Sequence, residues 1–310
     1  METILVHLDW PERCFRAERR ETAILKRIAG PSRRVVRATD DAAFLKALPR
    51  ADVAIVWRFK KEWFPLATRL KVLATPGAGR ELVAWKDAPP GVRVHFGGFH
   101  GAIMAESVAA YVLAFARGFF RRELSGNAPF GRSWPRTALS DKCFTVAGTK
   151  AVVAGYGRVG RAIGAKLESL GVEVQGVTRK NAADLPRLAK TADWLVMALP
   201  SDTGTDRILD AKLISKLPRR ACVVNVGRGN AVDEPALLAA LREGRIAGAY
   251  LDVFDGEPGP LSPAGKKCGA ILSSPRRSLP PNLVVTPHSS AFSAEYLEMC
   301  FKELENDGCI

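Results

Sequence analysis

The sequence predicts an α/β protein built from two doubly wound parallel-sheet domains. Three observations carry the prediction: short apolar runs recur through 310 residues, helix-like segments separate them, and one run leads directly into Gly155-x-Gly157-x-x-Gly160. Strands that are apolar on both faces and alternate with helices form parallel sheets covered on both sides. The length suits two domains of ordinary size. A hydrophobic content of 47% supplies a core for each.

The elements follow in order. Apolar runs at 4–8, 53–57, 72–75 and 92–96 make a first set of strands. Within it, "RCFRAERRETAILKRIAGPSRR" alternates cations with acids and apolar residues at helical spacing, which reads as a solvated helix face. A long helix is expected over about residues 104–117. The polar, aromatic stretch "RRELSGNAPFGRSWPRTALSDKCF" after it reads as an arm over a surface or a partner subunit. Runs at 151–154, 172–177, 194–199, 222–226, 248–252 and 283–286 make the second set. Residues 259–281, rich in Pro, Ser, Gly and cations, read as a long loop. No internal repeat is visible.

Composition narrows the function. Lys and Arg number 46 against 32 Asp and Glu, a formal net charge of +14, which favours anionic partners such as phosphorylated cofactors or carboxylates. The cations do not gather in one tail, so nucleic acid is not the expected partner. Six scattered cysteines without CxxC spacing imply reduced thiols, and four histidines share no ligand spacing with them, so no metal is expected. The start, "METILVHLDW", lacks the pattern of a signal peptide, and the most apolar segment, 108–116, is too short to span a bilayer. The expectation is a cytoplasmic protein with no membrane partner.

The glycine motif gains weight from its context, since it follows a buried strand, opens a helix with apolar positions Val159, Ile163 and Leu167, and precedes a second strand. Gly155 permits the tight turn, Gly157 lets a pyrophosphate approach the backbone, and Gly160 lets helix and strand pack closely. Unpaired N–H groups at the helix start would face the diphosphate of a dinucleotide. Proteins specific for NAD place an acid at the end of the second strand, to bind the ribose hydroxyls. Here Thr178, Arg179 and Lys180 stand there. Two cations and a hydroxyl suit a 2′-phosphate, so NADP(H) is favoured and NAD(H) remains open.

Three further motifs lie at the carboxyl ends of expected strands, where ligands bind in open α/β sheets. "CVVNVGRGNAVDEPAL" supplies Arg228, "AGAYLDVFDGEP" supplies Asp252 and Glu257, and "NLVVTPHSS" supplies His288. An arginine, a carboxylate and a histidine provide what reduction of a 2-keto acid needs. The guanidinium binds the substrate carboxylate, the imidazole donates a proton to the keto oxygen, and a carboxylate keeps the imidazole protonated and oriented.

With these motifs the chain resembles the D-isomer-specific 2-hydroxyacid dehydrogenase family, along nearly its whole length. "LKVLATPGAGRELV" resembles the family's substrate-carboxylate loop and "HGAIMAESVAAYVLAFAR" its interdomain helix, while "VAGYGRVGRAIG", "VNVGRGNAVDEPALLAAL", "AGAYLDVFDGEP" and "VVTPHSS" resemble its signature blocks. The resemblance implies a Rossmann-type nucleotide domain, residues 99–288, inserted in a flavodoxin-like substrate domain, residues 1–98 and 289–310, with a cleft between them. It implies Arg228 as substrate-binding residue, His288 as acid/base and Glu257 as its partner. Ala78 and Gly79 would hold the substrate carboxylate. Trp57 resembles a substrate-side aromatic of the glyoxylate/hydroxypyruvate reductase branch. Met104 would line the nicotinamide pocket and Asp252 would hold the nicotinamide amide. Further cofactor contacts fall on Tyr156, Arg158, Val159, Leu199, Pro200, Val226, Gly227 and Ser290. The implied partner is a second copy, joined through the interdomain helix and the arm carrying Trp134.

Two departures stand out: Glu81 replaces the family's usual Asp, and the segment between Glu257 and His288 is about a dozen residues longer than usual. The favoured reading is NADPH- or NADH-dependent reduction of a small 2-keto acid to its D-2-hydroxy acid. The alternatives are a nucleotide-sensing corepressor of the same fold and a formate- or phosphite-type dehydrogenase.

Overall fold

The computed structural model describes residues 1–120, 140–258 and 267–310. Residues 121–139 of the arm, with Trp134, and the first part of the 259–281 loop lie outside the described residues. The chain divides into two compact units, Met1–His100 with Phe292–Ile310, and Gly101–Ala291.

The first unit holds a parallel five-stranded sheet. Its strands are β1 (Glu2–His7), β2 (Arg33–Arg37), β3 (Val53–Val56), β4 (Val72–Thr75) and β5 (Arg93–Phe96). Their order, β2-β1-β3-β4-β5, is the flavodoxin-like arrangement. The centre of the sheet is apolar on both faces: Ile4, Leu5, Val6 and Val53–Val56 are all buried. Helix α1 (Arg19–Ala29) buries Leu25 and Ala29, while Arg19, Arg20, Lys26 and Arg27 face outward, as the charge alternation requires. It opens with a capping box in which the Glu18 amide donates to Glu21 at 3.0 Å. Helix α2 (Asp41–Ala47) packs Phe44 into the core.

Strand β2 was not among the expected strands. Only Val35 and Val36 are apolar between flanking arginines, and the strand is an edge, so its sequence lacks the run that a central strand shows. It pairs with β1 over five residues, from Glu2 opposite Arg33 to Val6 opposite Arg37.

Helix α3 (His100–Ala116) starts four residues before the expected helix, and all but its first residue belong to the second unit. Its parallel six-stranded sheet holds β6 (Lys150–Ala154), β7 (Glu173–Val177), β8 (Trp194–Met197), β9 (Cys222–Asn225), β10 (Gly248–Leu251) and β11 (Leu283–Val285). The order is β11-β10-β9-β8-β6-β7. Among the described residues this is the doubly wound dinucleotide order without the strand that would flank β7; single helical turns over residues 179–191 take its place. The chain runs outward from β6 to β7 and then returns to β8, so the switch point lies at the carboxyl end of β6. Helix α4 (Arg158–Glu168) buries Ile163 and Leu167 against one face, where Val108 and Val112 of α3 also pack. Helix α5 (Glu234–Arg242) buries Leu237 and Leu241 against the other.

Helix α6 (Tyr296–Asn306) belongs to the first unit and buries Tyr296, Leu297, Cys300, Phe301 and Leu304. The Glu303 carboxylate accepts from the Gly98 amide at 3.0 Å, and Asp307 pairs with His95 at 2.9 Å. No helix among the described residues is long and apolar enough to cross a membrane.

Candidate functional site

The glycine loop sits at the switch point. Gly155 has φ +91, and any Cβ there would collide with the Ala198 carbonyl, so only glycine fits the turn. A Cβ on Gly160 would strike the Gly155 carbonyl. Gly157 differs: nothing lies within 4 Å of its Cβ position, so the backbone is open at the mouth of the turn. The first bond of α4 runs from the Arg161 amide to the Gly157 carbonyl at 2.9 Å, which leaves the earlier helical N–H groups without an intrahelical acceptor. An open glycine at a helix N-terminus beyond a buried strand fits a diphosphate.

Residues around the loop have separate tasks. The Tyr156 ring lies against Gly164 and Gly176, where any side chain would collide with it, so it spaces the loop from β7. Arg158 is exposed, and Val159 packs on the core beneath α4. Leu199 and Pro200 follow β8, and a Cβ on Gly227 would fall 2.6 Å from the Leu199 backbone. Val226 is buried, so only its backbone could reach a ligand. Met104 is half-buried on α3.

At the end of β7, the Thr178 hydroxyl donates to Asn181 at 2.8 Å and caps the following helical turn. Lys180 is exposed. Arg179 is 88% exposed and its guanidinium pairs with Asp202 at 2.8 Å.

The remaining candidate residues of the second unit follow the adjacent strands β9, β10 and β11. Asn225 ends β9 fully buried; its side chain accepts from the Gly227 amide at 3.1 Å and donates to the Arg228 carbonyl at 3.0 Å. That amide therefore fixes the turn presenting Arg228, whose guanidinium donates to the Gly227 carbonyl at 2.9 Å. Gly229 lets the turn press on the Phe254 backbone.

Glu257 and His288 meet: His288 Nδ1 lies 2.7 Å from Glu257 Oε2, while Glu257 Oε1 accepts from the Phe254 amide at 2.6 Å. The imidazole is 40% exposed and the carboxylate 25%. His288 has φ +53, a conformation that costs a non-glycine residue about 1–3 kcal/mol and persists only where the surroundings impose it. Asp252 imposes it. Fully buried, it accepts from the Ser289 amide at 2.8 Å, the Ser290 amide at 2.9 Å and the Thr286 hydroxyl at 2.5 Å, and its own carbonyl takes the His288 amide at 2.8 Å. Thr286 in turn faces the Tyr250 hydroxyl at 3.0 Å. Burial pushes the Tyr250 phenol up to about 12, so it stays a donor. Asp252, assigned by resemblance to the nicotinamide amide, is thus engaged on three sides by the histidine turn, with one lone pair of Oδ2 left over. The Ser290 carbonyl ties this turn to α3 by accepting from the Ser107 hydroxyl at 3.0 Å.

In the first unit, Trp57 and residues 76–79 follow β3 and β4 at their carboxyl ends. Trp57 is 8% exposed and donates its indole N–H to the Phe15 carbonyl at 2.8 Å. It packs among Trp10, Phe15 and Tyr296, with Gly77 in van der Waals reach, so it offers a ligand an apolar wall and no donor. Ala78 is exposed and Gly79 partly so. Arg80 stacks on Trp85 and Phe96 at 4.8 and 5.1 Å.

Sequence reasoning left Asn225, Asp202 and Glu234 without roles. Glu234 is buried at the first turn of α5 and accepts from the Asp255 amide at 3.0 Å and the Ile271 amide at 2.8 Å. It thereby grips both ends of the loop that carries Glu257. An acid at the start of a helix reads as an ordinary dipole partner, so nothing local announced this.

The chain has recognisable relatives. A family model described as D-isomer specific 2-hydroxyacid dehydrogenase, NAD binding domain, matches residues 109–290. A glycerate dehydrogenase of Methylorubrum extorquens is 32% identical over 164 residues, covering 52% of this chain and 49% of that protein. A hydroxypyruvate reductase of Thermotoga maritima is 27% identical over 281 residues, covering 84% of this chain and 87% of that protein. The chain spans about half the length of the first curated relatives it matches. Among solved structures, a D-isomer specific 2-hydroxyacid dehydrogenase from Xanthobacter autotrophicus Py2 in complex with NADPH and MES has a TM-score of 0.71 at 25% identity, covering 99% of this chain and 95% of that one.

Proposed function

The chain belongs to the D-isomer specific 2-hydroxyacid dehydrogenase family, and from that premise we propose that it reduces a small 2-keto acid to the D-2-hydroxy acid. The observation carrying this reading is the 2.7 Å pair of Glu257 and His288 on a turn forced into positive φ. With Nδ1 facing the carboxylate, Nε2 is the nitrogen left to give a proton. A bound nicotinamide cofactor supplies the hydride. His288 gives a proton to the keto oxygen, and Glu257 stabilises the imidazolium before transfer and fixes its plane. Arg228 holds the substrate carboxylate and polarises the keto oxygen. The names of the relatives, glycerate dehydrogenase and hydroxypyruvate reductase, support a short hydroxylated keto acid.

For the cofactor, the reading is a preference for NADPH over NADH. No acid stands at residues 178–180, and Arg179 and Lys180 are both exposed there. With Thr178 engaged as a cap, the two cations are the groups left for a 2′-phosphate. A homodimer is also proposed; in the second unit Leu113, Phe119, Phe120 and Phe144 are 37–66% exposed, more apolar surface than a monomer needs to show.

The test is oxidation of NADPH and NADH across a panel of 2-keto acids, with wild type and Arg179→Ala. Turnover on short keto acids, faster with NADPH and losing that preference in the variant, is the expected result. No turnover on any keto acid would overturn the enzyme reading and favour a nucleotide-sensing binding protein. Equal or better use of NADH by the wild type would overturn the cofactor reading.

A further inference from the structure

Arg179 does not stand alone at the adenosine end of the candidate site. It lies two residues past β7, whereas Asp202 lies five residues past β8, and β6 runs between those strands. Their 2.8 Å ion pair therefore arches over the carboxyl end of β6, where the glycine loop begins.

Asp202 is the better fixed partner. Its Oδ1 accepts from the Gly204 amide at 2.9 Å, and its own amide donates to the Thr205 hydroxyl at 3.0 Å. The Thr205 hydroxyl in turn donates to the Pro200 carbonyl at 2.7 Å, and the threonine is 8% exposed. One carboxylate oxygen is thus held by its own turn while the other, Oδ2, is presented to a guanidinium on a neighbouring loop. Arg179, 88% exposed, is the solvent-facing half of the pair, and Asp202, 35% exposed, is the anchored half.

We propose that Asp202 is a specificity-determining residue of the cofactor site: it supplies, from the loop after β8, the acid missing after β7, and it competes with a 2′-phosphate for Arg179. The proposal rests on the cofactor reading above. A 2′-phosphate entering this site must displace a carboxylate from Arg179 and then sit beside that carboxylate. A 2′-hydroxyl meets neither obstacle, and Oδ2 can accept a hydrogen bond from it. The competition weakens NADPH binding without affecting NADH in the same way. The wild-type preference for NADPH is thereby smaller than Arg179 and Lys180 alone would set.

The experiment is fluorescence titration of NADPH and NADH against the full chain, for wild type, Asp202→Asn, Arg179→Ala and the double variant. Binding is read directly, so the result does not depend on finding the substrate. Asparagine keeps the acceptor for the Gly204 amide and removes the charge. Asp202→Asn is expected to raise the ratio of NADPH to NADH affinity roughly two- to fivefold, the effect of one exposed ion pair. In the Arg179→Ala background the gain should shrink, because coupled residues are not additive. An unchanged ratio in Asp202→Asn, or an equal gain with and without Arg179, overturns the proposal. Failure of the cofactor reading has a different signature: Arg179→Ala then leaves the ratio where the wild type has it.

Discussion

At the scale of single residues, His288, the proposed proton donor, also carries the strain. Alanine at φ +53 would relax the turn as well as remove the imidazole, so His288→Ala alone confounds two effects. Asparagine adopts positive φ more readily than most residues and cannot give a proton near neutral pH. His288→Asn is therefore the sharper variant. Its turnover should fall by about 10²–10⁴-fold, the usual range for a lost acid–base group, with NADPH affinity retained. Turnover near that of the wild type would show that the proton comes from elsewhere. Arg228 makes a different demand. Lysine keeps its charge but loses the planar fork that engages two oxygens, so Arg228→Lys should cut kcat/KM for 2-keto acids by at least about tenfold. An unchanged kcat/KM would separate Arg228 from the substrate.

At the scale of elements, the site depends on how the loop between β10 and β11 is closed. Asp255 and Gly269 are bonded at 2.8 Å, Gly256 turns at φ +67 against the Lys267 carbonyl, and Glu234 takes the Asp255 and Ile271 amides. Glu257 thus hangs from a neck that Glu234 holds shut. Glu234→Ala leaves two amides without their acceptor, costing on the order of 1–3 kcal/mol for each group left buried and unpaired. It should lower kcat by releasing Glu257 from His288, while NADPH affinity holds. A stability loss with an unchanged kcat would reduce Glu234 to a structural role. This neck also shows what sequence can and cannot give. Central strands, the glycine turn and the three motif-bearing strand ends are local patterns, and residues 72–75, 151–154 and 222–226 read directly as strands. The edge strand Arg33–Arg37 escapes because its two valines sit inside a cationic run. Asn225, Asp202 and Glu234 escape because each acts on groups brought to it by other elements, and no spacing along the chain encodes that.

At the scale of the whole molecule, the two units repeat one device that the sequence search for repeats did not find. Asp52 precedes β3 and Asp193 precedes β8, each beside the strand that opens its unit. The Asp52 amide donates to the Thr3 carbonyl at 2.9 Å and its carboxylate accepts from the Thr3 amide at 2.9 Å; Asp193 does the same with Lys150 at 2.8 and 2.8 Å. Each also holds an arginine, Arg69 and Arg220. The shared text is only "AD" before an apolar run, "ADVAIV" and "ADWLVM", too short to register as a repeat. The device fixes the register across the switch point of each sheet, and Asp52 makes its electrostatic share measurable. Burial works against its charge, yet the Thr3 amide and the Arg69 and Lys71 cations outweigh burial and hold its carboxyl below the ordinary value. A carboxyl depressed in the folded state stabilises the fold above its unfolded pKa, about 3.9, and that share is lost as pH falls through the folded value. Asp52→Asn should therefore lower the thermal midpoint at pH 7, by the equivalent of about 1–3 kcal/mol for hydrogen bonds to a charged group. The gap between variant and wild type should hold down to about pH 5 and narrow below pH 4. A gap that stays constant from pH 7 to pH 3 would mean that Asp52 acts through its shape and neutral hydrogen bonds, with its charge contributing nothing.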